Sequence, residues 1–152
     1  MLRNKLSDAL KTAMKAKDTA ATSAIRLIQA ALKDRDIAAR SKGNMDGITD
    51  EEILSLLQSM IKQRRESIEM YEKGNRPELA AKEAGEIDTI EGFLPEQMDD
   101  DATASAIKSV MSELQAESMK DMGRVMAALK ERHAGSMDFS KASSMVKGLL
   151  GS

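Results

Sequence analysis

The chain has 152 residues with no cysteine, two prolines and three aromatic side chains, and it sets 23 Lys or Arg against 25 Asp or Glu. That length suits one domain or two small ones. The missing thiols exclude disulfides, zinc ribbons and cysteine catalysis, and the lack of alternating Val, Ile, Thr and Tyr leaves a sheet almost nothing to build from. The expected class is all-α. The first segment places Leu2, Leu6, Leu10, Ala13 and Met14 at helical spacing. After a break near Lys17-Asp18, Asp18 is placed to cap a second helix carrying Ile25, Ile28 and Leu32, and Gly43 to Gly47 reads as a loop.

The third helix has the strongest start signal. Thr49 and Glu52 have capping-box spacing, and Ile48 and Ile53 stand where a hydrophobic staple needs them. Its apolar face is Ile53, Leu56, Leu57, Met60, Ile61, Ile68 and Tyr71. Gly74 is expected to stop it in a left-handed turn, and Pro77 to open a fourth helix whose stripe is Leu79, Ile87, Ile90 and Leu94, ended by Pro95.

The acidic run Asp99-Asp100-Asp101 reads as a linker that caps the next helix, and the domain boundary falls between residues 95 and 96. Three short helices follow. The first carries Ala106, Ile107, Val110, Met111 and Leu114. The second starts at Ser118 with Asp121 three residues on, buries Met122, Val125, Met126 and Leu129, and closes at Gly135. The third begins near Asp138 and buries Phe139, Ala142, Met145, Val146 and Leu149. Most of the twelve methionines fall on these stripes and read as core filler. The expected architecture is an N-terminal helical bundle of about four helices, residues 1–95, plus a small three-helix domain, residues 96–152.

Charge is uneven along the chain. Residues 1–42 hold ten basic against four acidic side chains, residues 43–107 six against sixteen, and residues 120–152 six against three. This suits local phosphate contact without the excess of a dedicated nucleic-acid binder. No apolar run approaches the roughly 20 residues that cross a bilayer, and no apolar leader opens the chain, so a soluble, unexported, cytoplasmic protein is expected.

No nucleophilic site can be defended. His133 lies beside the Gly135 stop, where a polar side chain meets the last carbonyls of a helix, and no serine stands in Gly-x-Ser-x-Gly. Glu66, Glu69, Glu83 and Glu86 are the one carboxylate constellation of the kind helical metal sites use, but the Glu-x-x-His order is missing. An ion-paired surface is expected instead, with Lys62, Arg65, Arg76 and Lys82 as partners. No metal and no cofactor are expected. Tyr71, Phe93 and Phe139 sit on apolar stripes, so RNA contact would have to read backbone and shape rather than stack unpaired bases.

Four segments resemble the GatB/YqeY family: Lys62-Gln63-Arg64-Arg65-Glu66-Ser67, Gly74-Asn75-Arg76-Pro77-Glu78-Leu79, Phe93-Leu94-Pro95 and Lys120-Asp121-Met122-Gly123-Arg124-Val125-Met126. The resemblance runs nearly end to end, and Lys62, Arg64, Arg76, Glu83, Glu86, Pro95, Gly123, Met126 and Gly135 carry the family pattern. It implies kinship with the tail of a tRNA-dependent amidotransferase subunit, which helps hold misacylated tRNA while other domains do the chemistry. The implied RNA contacts are Lys120, Arg124, Lys130, Lys141 and Lys147. The implied partners are tRNA and an aminoacyl-tRNA synthesis or amidation protein, with no DNA and no membrane, in a bacterial cytoplasm. The family label is carbon-nitrogen ligase activity with glutamine as amido-N-donor. This chain lacks the kinase-like cradle and the glutaminase part of that assembly, so the resemblance implies a non-catalytic, tRNA-associated module. The alternative is a protein-protein adaptor that never touches RNA. Gly123 has a second reading as a point of close backbone approach.

Overall fold

In a computed structural model, which describes residues 1–151, the chain is all-α. The helices are α1 (Leu2–Lys15), α2 (Thr19–Ser41), α3 (Asp50–Lys73), α4 (Pro77–Glu91), α5 (Asp100–Leu114), α6 (Met122–His133) and α7 (Phe139–Leu150), with a 3-10 turn at Met119–Asp121 before α6. They form two compact units, Met1–Pro95 and Glu96–Ser152. No helix among the described residues is long and apolar enough to cross a membrane.

In the first unit the local signals translate directly into helix ends. Asp18 accepts from the Ala21 amide at 3.0 Å, which satisfies one orphan donor of α2. Thr49 and Glu52 exchange amide bonds in a closed capping box, and Ile48 packs on the core that Ile53 enters. The α3–α4 turn differs from expectation. Gly74 stays at φ −85°, and Asn75 takes the left-handed conformation at φ 57°, because a short polar side chain tolerates that region better than other non-glycine residues do. Pro77 is the first residue of α4. Leu6, Ile28, Ile53, Leu57 and Ile90 are almost wholly buried and draw one residue set from each of the four helices. Met14 does not join them and is exposed. It follows the buried Ala13, and one residue is a rotation of about 100° on a helix.

In the second unit Asp99 is the N-cap of α5, accepting from the Ala102 amide at 2.7 Å. Asp100 and Asp101 lie inside the first helical turn rather than in a linker, where negative charge favours the helix N-terminus. Ser118 and Asp121 form a box that opens the 3-10 turn, so α6 proper begins at Met122, three residues later than the box suggests. Gly135 has φ 81°, a conformation that costs glycine little, and Asp138 caps α7. The core consists of Ile107, Val110, Val125, Leu129, Met137, Ala142, Val146 and Leu150. Leu150 replaces the expected Leu149, which is exposed, because Ala142, Val146 and Leu150 repeat every four residues. Met137 is fully buried although it precedes the helix, where no periodicity marks it. The core-filler reading holds for seven of the twelve methionines, which pack on the two cores, while Met1, Met14, Met45, Met70 and Met119 are exposed.

Candidate nucleic-acid interface

Of the five basic residues implicated in RNA contact, two have acidic partners and three are exposed without one among the described residues. Arg124 donates to Asp121 Oδ1 at 2.6 Å. Asp121 also accepts the Glu117 amide at 2.9 Å and the Ser118 amide at 3.2 Å. The Glu117 amide first, then Arg124 and the Ser118 amide, hold its carboxyl down at about 2. Arg124 is thereby committed to the elbow between α5 and α6. Lys141 pairs with Asp100 at 3.5 Å. Lys120, Lys130 and Lys147 are exposed. Arg124 and Lys130 are six residues apart on α6, as Lys141 and Lys147 are on α7, which turns each pair about 120° apart. The remaining charge opposes RNA as well. Arg132 donates to Glu113 at 2.6 Å, lowering the acid's pKa and raising its own, and residues 96–152 hold seven Lys or Arg against nine Asp or Glu.

Gly123 is not a point of close packing. A Cβ there meets nothing within 4 Å, so that reading falls. Met126 is half-buried against the second core. Gly135 is buried, and its carbonyl accepts from Gln97 Nε2 at 2.6 Å. With the Met98 amide donating to Ser136 at 2.8 Å, the segment before α5 is tied to the α6–α7 loop.

In the first unit two family-pattern residues, Glu83 and Glu86, meet a third, Arg64. Its Nε lies 2.9 Å from Glu86 and 3.9 Å from Glu83, and its Nη1 donates to the Met60 carbonyl at 3.1 Å. The three side chains are only 14%, 22% and 13% exposed for Arg64, Glu83 and Glu86. This joins α3 to α4 through a guanidinium shared by two carboxylates. The expected partners were different. Arg65 pairs with Glu91 and Arg76 with Glu78, whereas Lys62, Lys82, Glu66 and Glu69 point to solvent. Arg64 takes the inner carboxylates because it is turned inward, whereas Arg65, one residue and about 100° further on, faces solvent. Pro95 ends this unit. No three carboxylates or histidines among the described residues converge as a metal cage.

A second cluster carried no motif. Arg3 donates to both carboxylate oxygens of Asp36, at 2.6 and 2.8 Å, and to the Ile48 carbonyl at 2.9 Å, while the Ile48 amide donates to Asp36 at 2.9 Å. Gly47, at φ 84°, is required beside it, because a Cβ there would stand 2.6 Å from Asp36 Oδ1. The Arg3 guanidinium first, and the Ile48 amide with it, hold the Asp36 carboxyl down at about 2, against the opposing effect of burial. A carboxylate with a depressed folded-state pKa contributes stability that is complete above its unfolded value of about 3.9 and lost as pH falls through the folded value. Asp36→Asn is therefore expected to cost about 1–2 kcal/mol at pH 7 after screening by solvent. The gap between variant and parent should close between about pH 4 and pH 2, as followed by urea unfolding across that range.

At the elbow of α1 and α2 an open cavity of about 720 Å³ is lined by Met14 and Leu27, with Lys17 and Arg26 among its polar neighbours. Met14 and Leu27 are both exposed.

The sequence is similar to several fungal proteins. It is 32% identical over 145 residues, 91% of this chain and 77% of the relative, to "Altered inheritance of mitochondria protein 41, mitochondrial" of Pyrenophora tritici-repentis. It is 34% identical over 96 residues, 63% of this chain and 71% of the relative, to an uncharacterized protein of Schizosaccharomyces pombe. The match to the Saccharomyces cerevisiae protein of the same mitochondrial name is 36% over 86 residues, 56% of this chain and 44% of that protein. The mitochondrial setting in these names is that of the relatives. The model of the Yqey-like protein family matches residues 3–150, across both helical units, and the chain belongs to that family.

Proposed function

We propose that this protein is a non-catalytic, tRNA-associated helical module that holds tRNA for an aminoacylation or amidation partner and performs no carbon-nitrogen ligation unaided. The observation that carries the reading is the family match over residues 3–150, taken with a side-chain inventory suited to binding rather than chemistry. The carboxyls held lowest are committed to structure, Asp36 to Arg3 and the Ile48 amide and Asp121 to Arg124 and the Glu117 and Ser118 amides, which suits positioning rather than general-base work. A bacterial, cytoplasmic setting is part of the proposal.

The test is binding of the full chain to a total tRNA pool by gel shift at about 50 and about 200 mM salt, a range over which a protein making several phosphate contacts loses orders of magnitude in affinity. Saturable binding that weakens steeply is the expected result. No binding at the lower salt overturns the reading. The elbow cavity favours a second one, an adaptor for a partner protein, because exposed Met14 and Leu27 offer an adaptable apolar contact. Salt-insensitive capture of a specific protein, lost on Leu27→Lys, would support it.

A further inference from the structure

Resting on the tRNA reading above, we propose that the outer face of α2, and not the C-terminal unit, is the principal contact with the RNA backbone, through Arg26, Lys33 and Arg40. These residues recur every seven positions. At 3.6 residues per turn and 1.5 Å rise, seven residues return to nearly the same side of the helix about 10.5 Å further along. All three are exposed, on the side away from buried Ala24, Ile25, Ile28 and Leu32. The stripe is about 21 Å long.

Its surroundings leave the charge available. Asp36, four residues before Arg40 and near enough to feel its charge, gives both carboxylate oxygens to Arg3 at 2.6 and 2.8 Å, and Asp34 follows Lys33 by one residue, about 100° round the helix. No ion pair among the described residues takes up any of the three cations. The C-terminal unit offers the opposite case, with Arg124, Arg132 and Lys141 paired and an acidic net balance.

The apolar content of the face selects the occupant. Between the cations stand Ala30 and half-exposed Ile37, and exposed Leu27 adjoins only the Arg26 end, beside the elbow cavity. A partner helix would need a continuous apolar seam to bury. A nucleic-acid backbone needs spaced cations and no seam, and with no aromatic platform on the face it would be bound through phosphates and shape.

The experiment is fluorescence anisotropy of a labelled total tRNA pool against the full chain over a salt series, with two triple variants. One is Arg26→Gln, Lys33→Gln, Arg40→Gln. The other is Lys120→Gln, Lys130→Gln, Lys147→Gln. Glutamine keeps helix propensity, and unchanged thermal unfolding by circular dichroism establishes that each variant is folded. The α2 variant is expected to reduce the slope of log affinity against log salt by about three, one for each cation, and to weaken binding at about 50 mM salt by about tenfold or more. The C-terminal variant is expected to change both much less. Parental slope and affinity in the α2 variant overturn this inference and leave the tRNA reading standing. No binding by the parent chain overturns both, and capture of polyglutamate without tRNA assigns the stripe to an acidic protein instead.

Discussion

Arg64→Ala is expected to destabilise the first unit by about 2–3 kcal/mol. Breaking a fully buried ion pair from one side costs about 3–5 kcal/mol because the other charge is left without compensation. Here the carboxylates of Glu83 and Glu86 keep some contact with water at 22% and 13% exposure, which lowers the figure. The Met60 carbonyl also loses a second donor beyond its helical one, and the aliphatic stem of Arg64 stops covering apolar surface. The cluster as a whole is less stabilising than its loss suggests, since replacing a desolvated ion pair by well-packed apolar side chains is often neutral. Arg64→Met combined with Glu86→Leu should therefore recover part of the loss, with Glu83 left to its remaining contact with water. A double-mutant cycle by urea denaturation measures the coupling, and additive losses with no recovery would show that Arg64 acts through something other than Glu86. If Arg64 belongs to the family pattern for structural reasons, the recovered double variant also keeps the RNA affinity of the parent.

A larger effect is expected in the second unit. Leu129 is fully buried among Ile107, Val110, Val125 and Val146, and Leu→Ala at such a site costs about 3–5 kcal/mol through lost transfer energy and the cavity left behind. A unit of this size buries a smaller fraction of its surface than a larger domain does and has little stability in reserve. Leu129→Ala should therefore bring α5, α6 and α7 close to their unfolding midpoint at room temperature. Amide hydrogen exchange is the suitable readout, since it separates α5–α7 from α1–α4. Leu129→Met, which conserves volume more closely, should cost less than about 1.5 kcal/mol. Full protection of α5–α7 in Leu129→Ala would contradict the assignment of Leu129 to the centre of that core.

Helix identity and the two stripes that face each core were legible in the chain because burial leaves a period of 3.6 and because caps are chemistry confined to four residues. Thr49, Glu52, Asp18, Asp99 and Asp138 illustrate the second point, each bonding amides that its position in sequence already implied. What escaped reading depends on long-range partners. Met137 is buried by residues from three helices while lying on none of them. Arg64 was recognised as part of a motif, yet its choice over Arg65 as partner of Glu86 follows from the inward face of α3, which becomes definite only when α4 is docked. The Arg3–Asp36 pair spans 33 residues and left no local trace except Gly47. Ion pairing is likewise invisible in sequence, and Arg124 and Lys141, two of the residues implied by resemblance, have acidic neighbours at 2.6 and 3.5 Å.

The three-residue connection Gly74-Asn75-Arg76 between α3 and α4 bears on how the chain reaches its native state. Closing so short a loop takes little entropy, and helices adjacent in sequence collect contacts without waiting for distant segments to meet. The α3–α4 hairpin is thus suited to form early, on the microsecond to millisecond scale typical of helical domains of low contact order. The salt link of Arg64 to Glu86, 22 positions away, then falls within the folding nucleus, and weakening it would slow folding more than it would hasten unfolding.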